Sequence, residues 1–198
     1  MSADSARGLT DGLVLVGGKQ LRQCTRVICG TAMILSVVQG NRNIRVDLAS
    51  QRLELVSGGQ VLERFPVSTS KYGPGEISGS LKTPRGQHII RAKIGSGQPL
   101  GTVFRGRRST GELYSDELAL SEPDQDWILT RILWLSGTEV GRNRLGNVDT
   151  MRRYIYIHGT PSSEFLGEPR SIGCIRMSNQ EVLELFDWVE VGMNVEIN

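Results

Sequence analysis

Apolar and polar residues alternate through Ile44-Arg45-Val46-Asp47-Leu48, Leu53-Glu54-Leu55 and Gln60-Val61-Leu62-Glu63-Arg64-Phe65. A period of two puts every second side chain on one face of a strand, so residues 43–68 are predicted to form three antiparallel strands. Ser57-Gly58-Gly59 marks the turn between the second and third, because glycine takes positive φ without a Cβ penalty. Residues 69–82 hold Gly73, Pro74, Gly75, Gly79 and three serines and read as a mobile loop. Further short strands are expected at Gln87 to Ala92 and Thr102 to Phe104, with a polar loop over 105–125. The run Trp127 to Leu135 is too apolar for either period to decide, and a buried strand fits it best. One helix stands out. Ser178-Asn-Gln-Glu181 has the form of a capping box, and Val182, Leu185, Phe186 and Val189 then make a single apolar stripe. Gly192 is expected to end it, and Val195-Glu-Ile197 to add a closing strand. The expected fold class is mainly β with one helix near the C-terminus.

The first 42 residues are set apart as an extension, leaving 43–198 as the domain. Lys19, Arg22 and Arg26 precede the uncharged stretch Val27 to Val38, too short for the ~20 residues of a membrane span. It suits the apolar part of an export signal, with a weak cleavage site at Val38-Gln39-Gly40, or equally a segment packed on the domain. Among 198 residues, 23 Lys and Arg against 21 Asp and Glu give a net charge of +2, and no integral membrane domain or nucleic-acid partner is expected. The only local basic cluster is Arg105, Arg107 and Arg108. Three cysteines cannot build a disulfide framework, and Cys24 and Cys29 lack the partners of a zinc site.

Chemistry is sought around the two histidines. In Tyr154-Ile-Tyr-Ile-His158 an extended chain points Tyr154, Tyr156 and His158 one way and the isoleucines the other. Such a histidine serves as a general base or as a core residue bonded to backbone. Sixteen residues on, Cys174 stands in Ser171-Ile-Gly-Cys-Ile-Arg-Met177. A thiol with an ordinary pKa near ~8.5 needs a base or cation to act as a nucleophile at neutral pH. An extended 174–177 segment would put Arg176 on the face of Cys174 as that cation, and Gly173 permits an oxyanion-binding backbone. The alternative is a buried core cysteine beside Ile172 and Ile175. His88, in a strand-like run, reads as a packing residue.

His158-Gly-Thr followed by Ser171-x-Gly-Cys-Ile-Arg-Met resembles the signature of the L,D-transpeptidase (YkuD-type) catalytic domain, whose pattern is His-Gly-Thr, a spacer, then Ser-His-Gly-Cys-Ile-Arg. Lys82-Thr-Pro-Arg-Gly-Gln-His-Ile89 is similar to that family's Thr-Pro-x-Gly block, and the likeness spans about 43–198. Ile172 departs from it, standing where many members carry His, a position that also takes Lys. The resemblance implies a mixed β-sandwich or barrel and cysteine acyl transfer on peptidoglycan stem tetrapeptides. Cys174 would attack the carbonyl of residue 3, expel D-Ala, and pass the acyl group to a second stem, giving 3→3 cross-links, or to another amine. His158 would be base then acid, Gly173 and Cys174 would stabilise the oxyanion, and Arg176, Ser171, Tyr156 and Thr160 would contact substrate, Arg176 and Ser171 by binding a stem carboxylate. It also implies no metal or organic cofactor, carbapenems as covalent inhibitors and a location in the cell envelope or periplasm, with a cytoplasmic form working on recycled muropeptides as the other placement. L,D-carboxypeptidase action on the same stems, or a non-catalytic peptidoglycan-binding module, are the alternative functions.

Overall fold

A computed structural model describes residues 41–123, 125–161 and 165–198; the expected export segment, Cys24 and Cys29 lie outside these. The first three strands, β1 (Arg42–Asp47), β2 (Arg52–Ser57) and β3 (Gln60–Pro66), form the expected antiparallel meander. Gly58 and Gly59 close the second hairpin at φ 57° and 80°, the positive values that a two-residue turn matching the strand twist requires. β4 (Gly86–Ile94), β5 (Thr102–Arg105) and β7 (Ile128–Gly137) also fall where the pattern puts them. The polar loop over 105–125 does not hold throughout: it contains β6 (Arg108–Leu113) and a short helix, α1 (Asp116–Ser121). Every residue of β6 is exposed, so this edge strand has no apolar alternation to betray it.

All ten strands of the described residues join one mixed sheet in the order β3-β2-β1-β10-β4-β7-β5-β6, with β8 (Tyr156–Thr160) on β7 and β9 (Ile175–Ser178) on β8. β10 (Asn194–Ile197) pairs parallel with β1, as β9 does with β8. The main helix, α2 (Asn179–Trp188), is capped by Ser178, whose hydroxyl accepts the Glu181 N–H at 3.2 Å. It ends at Trp188 with Val189 extended, before the expected stop at Gly192. Val182, Leu185 and Phe186 on its inner face join Ile44, Ile157, Ile175, Met177 and Val195 in the main core.

The sheet separates two apolar environments. Ile155, Ile157, Ile175 and Met177 face the main core. Tyr156, next in alternation, packs with Phe104 and Ile132 in a smaller cluster against which Trp134 and Cys174 rest. The division of faces expected for 154–158 therefore holds, with one change: Tyr154 precedes the strand at φ 57°, although its ring still stacks on Trp134.

Candidate active site

The parallel pairing of β8 with β9 sets Ile157 against Ile175 and His158 against Arg176. Cys174 lies one residue before β9, so alternation directs Cys174, Arg176, Tyr156 and His158 to the side of the sheet away from the helix. His158 is fully buried. Its Nδ1 lies 2.8 Å from the carbonyl oxygen of Gly159, an acceptor only, so Nδ1 carries the proton and donates. Nε2 then presents a lone pair, and it has no hydrogen-bond partner among the described residues. Burial pulls the imidazole pKa below the usual histidine range, opposed by Asp126 and the Gly159 carbonyl and assisted by Arg176. The ring is neutral and keeps one acceptor nitrogen unused.

Burial pushes the Cys174 thiol up to about 12, and the Asp126 carboxylate pushes the same way. The Tyr156 N–H, Arg176 and Arg153 oppose the rise without cancelling it. Cys174 is held as a thiol whose Sγ–H donates to the Tyr154 carbonyl at 3.5 Å. Arg176 does share the face of the thiol, but it is not the free activating cation the sequence suggests. Its guanidinium is 2.5 Å from Asp126 Oδ1, so much of its field is spent before reaching sulfur.

The cysteine turn is braced from behind. Ser171 Oγ donates to the Cys174 carbonyl at 2.6 Å and accepts the Gly173 N–H at 3.2 Å. Gly173 sits at φ 135°, open to glycine and strained for other residues. Its carbonyl accepts from Thr83 Oγ1 at 2.9 Å, and Thr83 Oγ1 in turn accepts the Ser70 N–H. The 69–82 segment is thus tied to the Cys174 turn, and Arg153 secures it further by donating to the carbonyls of Gly75, Glu76 and Lys82. At the histidine end, Asn179 donates to the Thr160 carbonyl and receives the Thr130 hydroxyl at 2.6 Å. Thr130 holds φ 67°, costly for a β-branched residue, inside an irregular stretch of β7.

The expected residues therefore divide. Cys174, His158, Tyr156 and Arg176 converge on one face. Ser171 is fully buried with both hydroxyl roles used inside its own turn, so it shapes the loop and does not reach a substrate carboxylate. The Gly173 N–H is likewise engaged. Thr160 is nearly buried at the end of β8, and Ile172 is exposed beside the turn. His88 packs as expected, bonded to the Gly86 carbonyl and Thr150 Oγ1. Asp126, Arg107 and Arg153 were not singled out for the site from sequence. Arg107 alone left a trace there, as part of the basic cluster. Among the described residues no group of His, Cys, Asp or Glu could hold a metal ion. None of their helices is long and apolar enough to cross a membrane.

Comparison with known proteins bears on this geometry. The sequence model of the L,D-transpeptidase catalytic domain matches residues 41–197. No curated protein matches the chain in sequence. Among solved structures, an L,D-transpeptidase from Mycobacterium smegmatis is 20% identical with a TM-score of 0.48, covering 80% of this chain and 59% of that one. L,D-transpeptidase 3 from Mycobacterium tuberculosis, solved with a faropenem-derived adduct, is 15% identical with a TM-score of 0.51, covering 80% and 60%. This chain thus spans about three fifths of the length of those two, and the likeness to the second, at 15% identity, is one of fold.

Proposed function

The chain belongs to the L,D-transpeptidase catalytic-domain family, and from that premise we propose that it is a cysteine acyltransferase acting on peptidoglycan stem tetrapeptides. The observation that carries the reading is a thiol and a neutral imidazole directed to the same side of the sheet, the thiol resting on the Tyr154 carbonyl. Cys174 just ahead of β9 and His158 on the adjacent β8 share one face, and Nε2 of His158 has no hydrogen-bond partner among the described residues. Since the thiol rests protonated, Nε2 takes its proton as sulfur attacks the carbonyl carbon of stem residue 3. The negative charge forms on that carbonyl oxygen, and the Cys174 N–H is the donor proposed for it, with Gly173 supplying the conformation. Collapse of the intermediate breaks the bond to D-Ala, whose nitrogen takes the proton from His158. A thioester remains on Cys174.

An amine of a second stem then attacks the thioester, His158 removes its proton, and sulfur leaves, closing a 3→3 cross-link. Another amine gives an attached acceptor, and water gives a tripeptide. Tyr156 and Thr160 are proposed as walls of this pocket, and Arg176 as a charge that steadies the imidazolium–carboxylate balance through Asp126. Ring opening of a carbapenem by the same thiol would leave a covalent adduct. The substrate points to work in the cell envelope.

The test is mass spectrometry of the protein incubated with purified tetrapeptide muropeptides, beside Cys174→Ala. Release of D-Ala with 3→3 dimers, both absent from the variant, is the expected result. Tripeptide without dimers would replace transfer by carboxypeptidase action. Neither product from folded protein would overturn the reading.

A further inference from the structure

The β5–β6 hairpin turns through Gly106 and Arg107, at φ 53° and 68°. In a two-residue turn with both central residues at positive φ, the second position is the usual place for glycine. Here it holds an arginine, a strained choice that local folding does not explain. The strained turn carries the guanidinium onto the aromatic residues beside Cys174. Arg107 lies 4.7 Å from the Trp134 ring centre and 5.0 Å from that of Tyr154, and Nη1 donates to Tyr156 Oη at 3.0 Å. Tyr154 is itself at φ 57°, so both edges of this aromatic platform are held in uncommon backbone.

Arg107 forms no ion pair among the described residues, whereas Arg176 is committed to Asp126. Its fork keeps donors beyond the one given to Tyr156, whose own O–H is free to donate because the oxygen is the acceptor in that bond. Tyr156 links this pair to the chemistry, since its ring packs with Cys174 and its backbone N–H reaches the thiol. We propose that Arg107, seated on Trp134 and Tyr154 and aided by the Tyr156 hydroxyl, binds the C-terminal carboxylate of the donor peptide. This rests on the acyl-transfer reading above, in which the bond attacked lies one residue from the chain end. That residue spans at most ~3.6 Å, and Tyr156, which packs with Cys174 and bonds Arg107, is the side chain that joins the attacked carbonyl to the cluster.

The experiment compares a stem tetrapeptide with its C-terminal amide. Binding is measured by calorimetry on Cys174→Ala, and turnover on otherwise native protein. A charge-assisted pair predicts roughly 10- to 100-fold tighter binding of the carboxylate form. Arg107→Gly restores the residue the turn prefers, so this variant should melt at or above the wild-type temperature while the preference falls to within about 3-fold, with the turnover loss in KM. Arg107→Gln serves as a second variant that keeps side-chain bulk. An unchanged preference in both variants overturns the proposal, as does failure of either peptide to bind. Carboxylate-selective binding that depends on Arg107, in protein that releases no D-Ala, sustains this subsite and instead overturns the acyl-transfer reading.

Discussion

His88 converts burial into a pH dependence that can be measured. The ring is fully buried, flanked by the Gly86 carbonyl and Thr150 Oγ1, and burial lowers its pKa from 6.5 to about 4. The Gly86 carbonyl and Glu139 resist this fall, and Arg142 and Arg153 reinforce it. Between those two values the unfolded chain binds a proton that the folded chain refuses. The contribution is therefore complete above 6.5 and is lost as pH falls toward 4. At 1.36 kcal/mol per unit, the interval amounts to about 3 kcal/mol. Urea unfolding followed by tryptophan fluorescence at pH 7.5 and 4.0, on wild type and His88→Asn, isolates it. Asn keeps a donor for Gly86 and cannot titrate. The carboxylates and the buried His158 titrate alike in both proteins and cancel in the difference. Wild type should lose about 3 kcal/mol more than the variant on acidification. Equal losses would refute the reasoning.

Three further outcomes are expected. Because burial holds His158 below the usual range, the acid limb of kcat/KM for D-Ala release should lie below pH 6.5, and a limb above it would show that the base titrates in a wetter setting. With its thiol raised to about 12, Cys174 in free protein should alkylate with iodoacetamide at pH 7 more slowly than a peptide cysteine, read by mass spectrometry of its tryptic peptide; faster reaction would reveal a resting thiolate. In Gly159→Ala the new Cβ would come 2.3 Å from Asn179 Oδ1 and 2.8 Å from the Leu129 carbonyl, so thermal unfolding should report a loss of roughly 1–3 kcal/mol, and a neutral change would mean that β7 and β8 yield easily.

What could be read in advance was local. Alternation at Ile44, Val46, Leu53 and Leu55 located strands because each has one face in the core. His158 and Cys174 were legible because two neighbouring strands carry them only sixteen residues apart. What escaped was either exposed or remote. β6 has no buried face and leaves no period. Asp126 meets Arg176 across fifty positions, and Arg153 holds carbonyls more than seventy residues upstream. Such contacts are set by sheet curvature, which no spacing encodes. The sequence places Ser171 beside the thiol and so suggests contact with substrate, while the direction of its hydroxyl is a property of the turn.

The position of β10 bears on how the protein is made. This strand is inserted between β1 and β4, pairing Ile44 with Val195 and His88 with the same residue. During synthesis the β1–β3 ribbon is made long before Asn194–Ile197, the strand that its β1 edge pairs with. For that interval the apolar face of Ile44, Val46, Leu53 and Leu55 is uncovered, on a ribbon too small to be stable by itself. Joining residues about 150 positions apart makes the final step slow, and the waiting ribbon vulnerable to pairing with other chains.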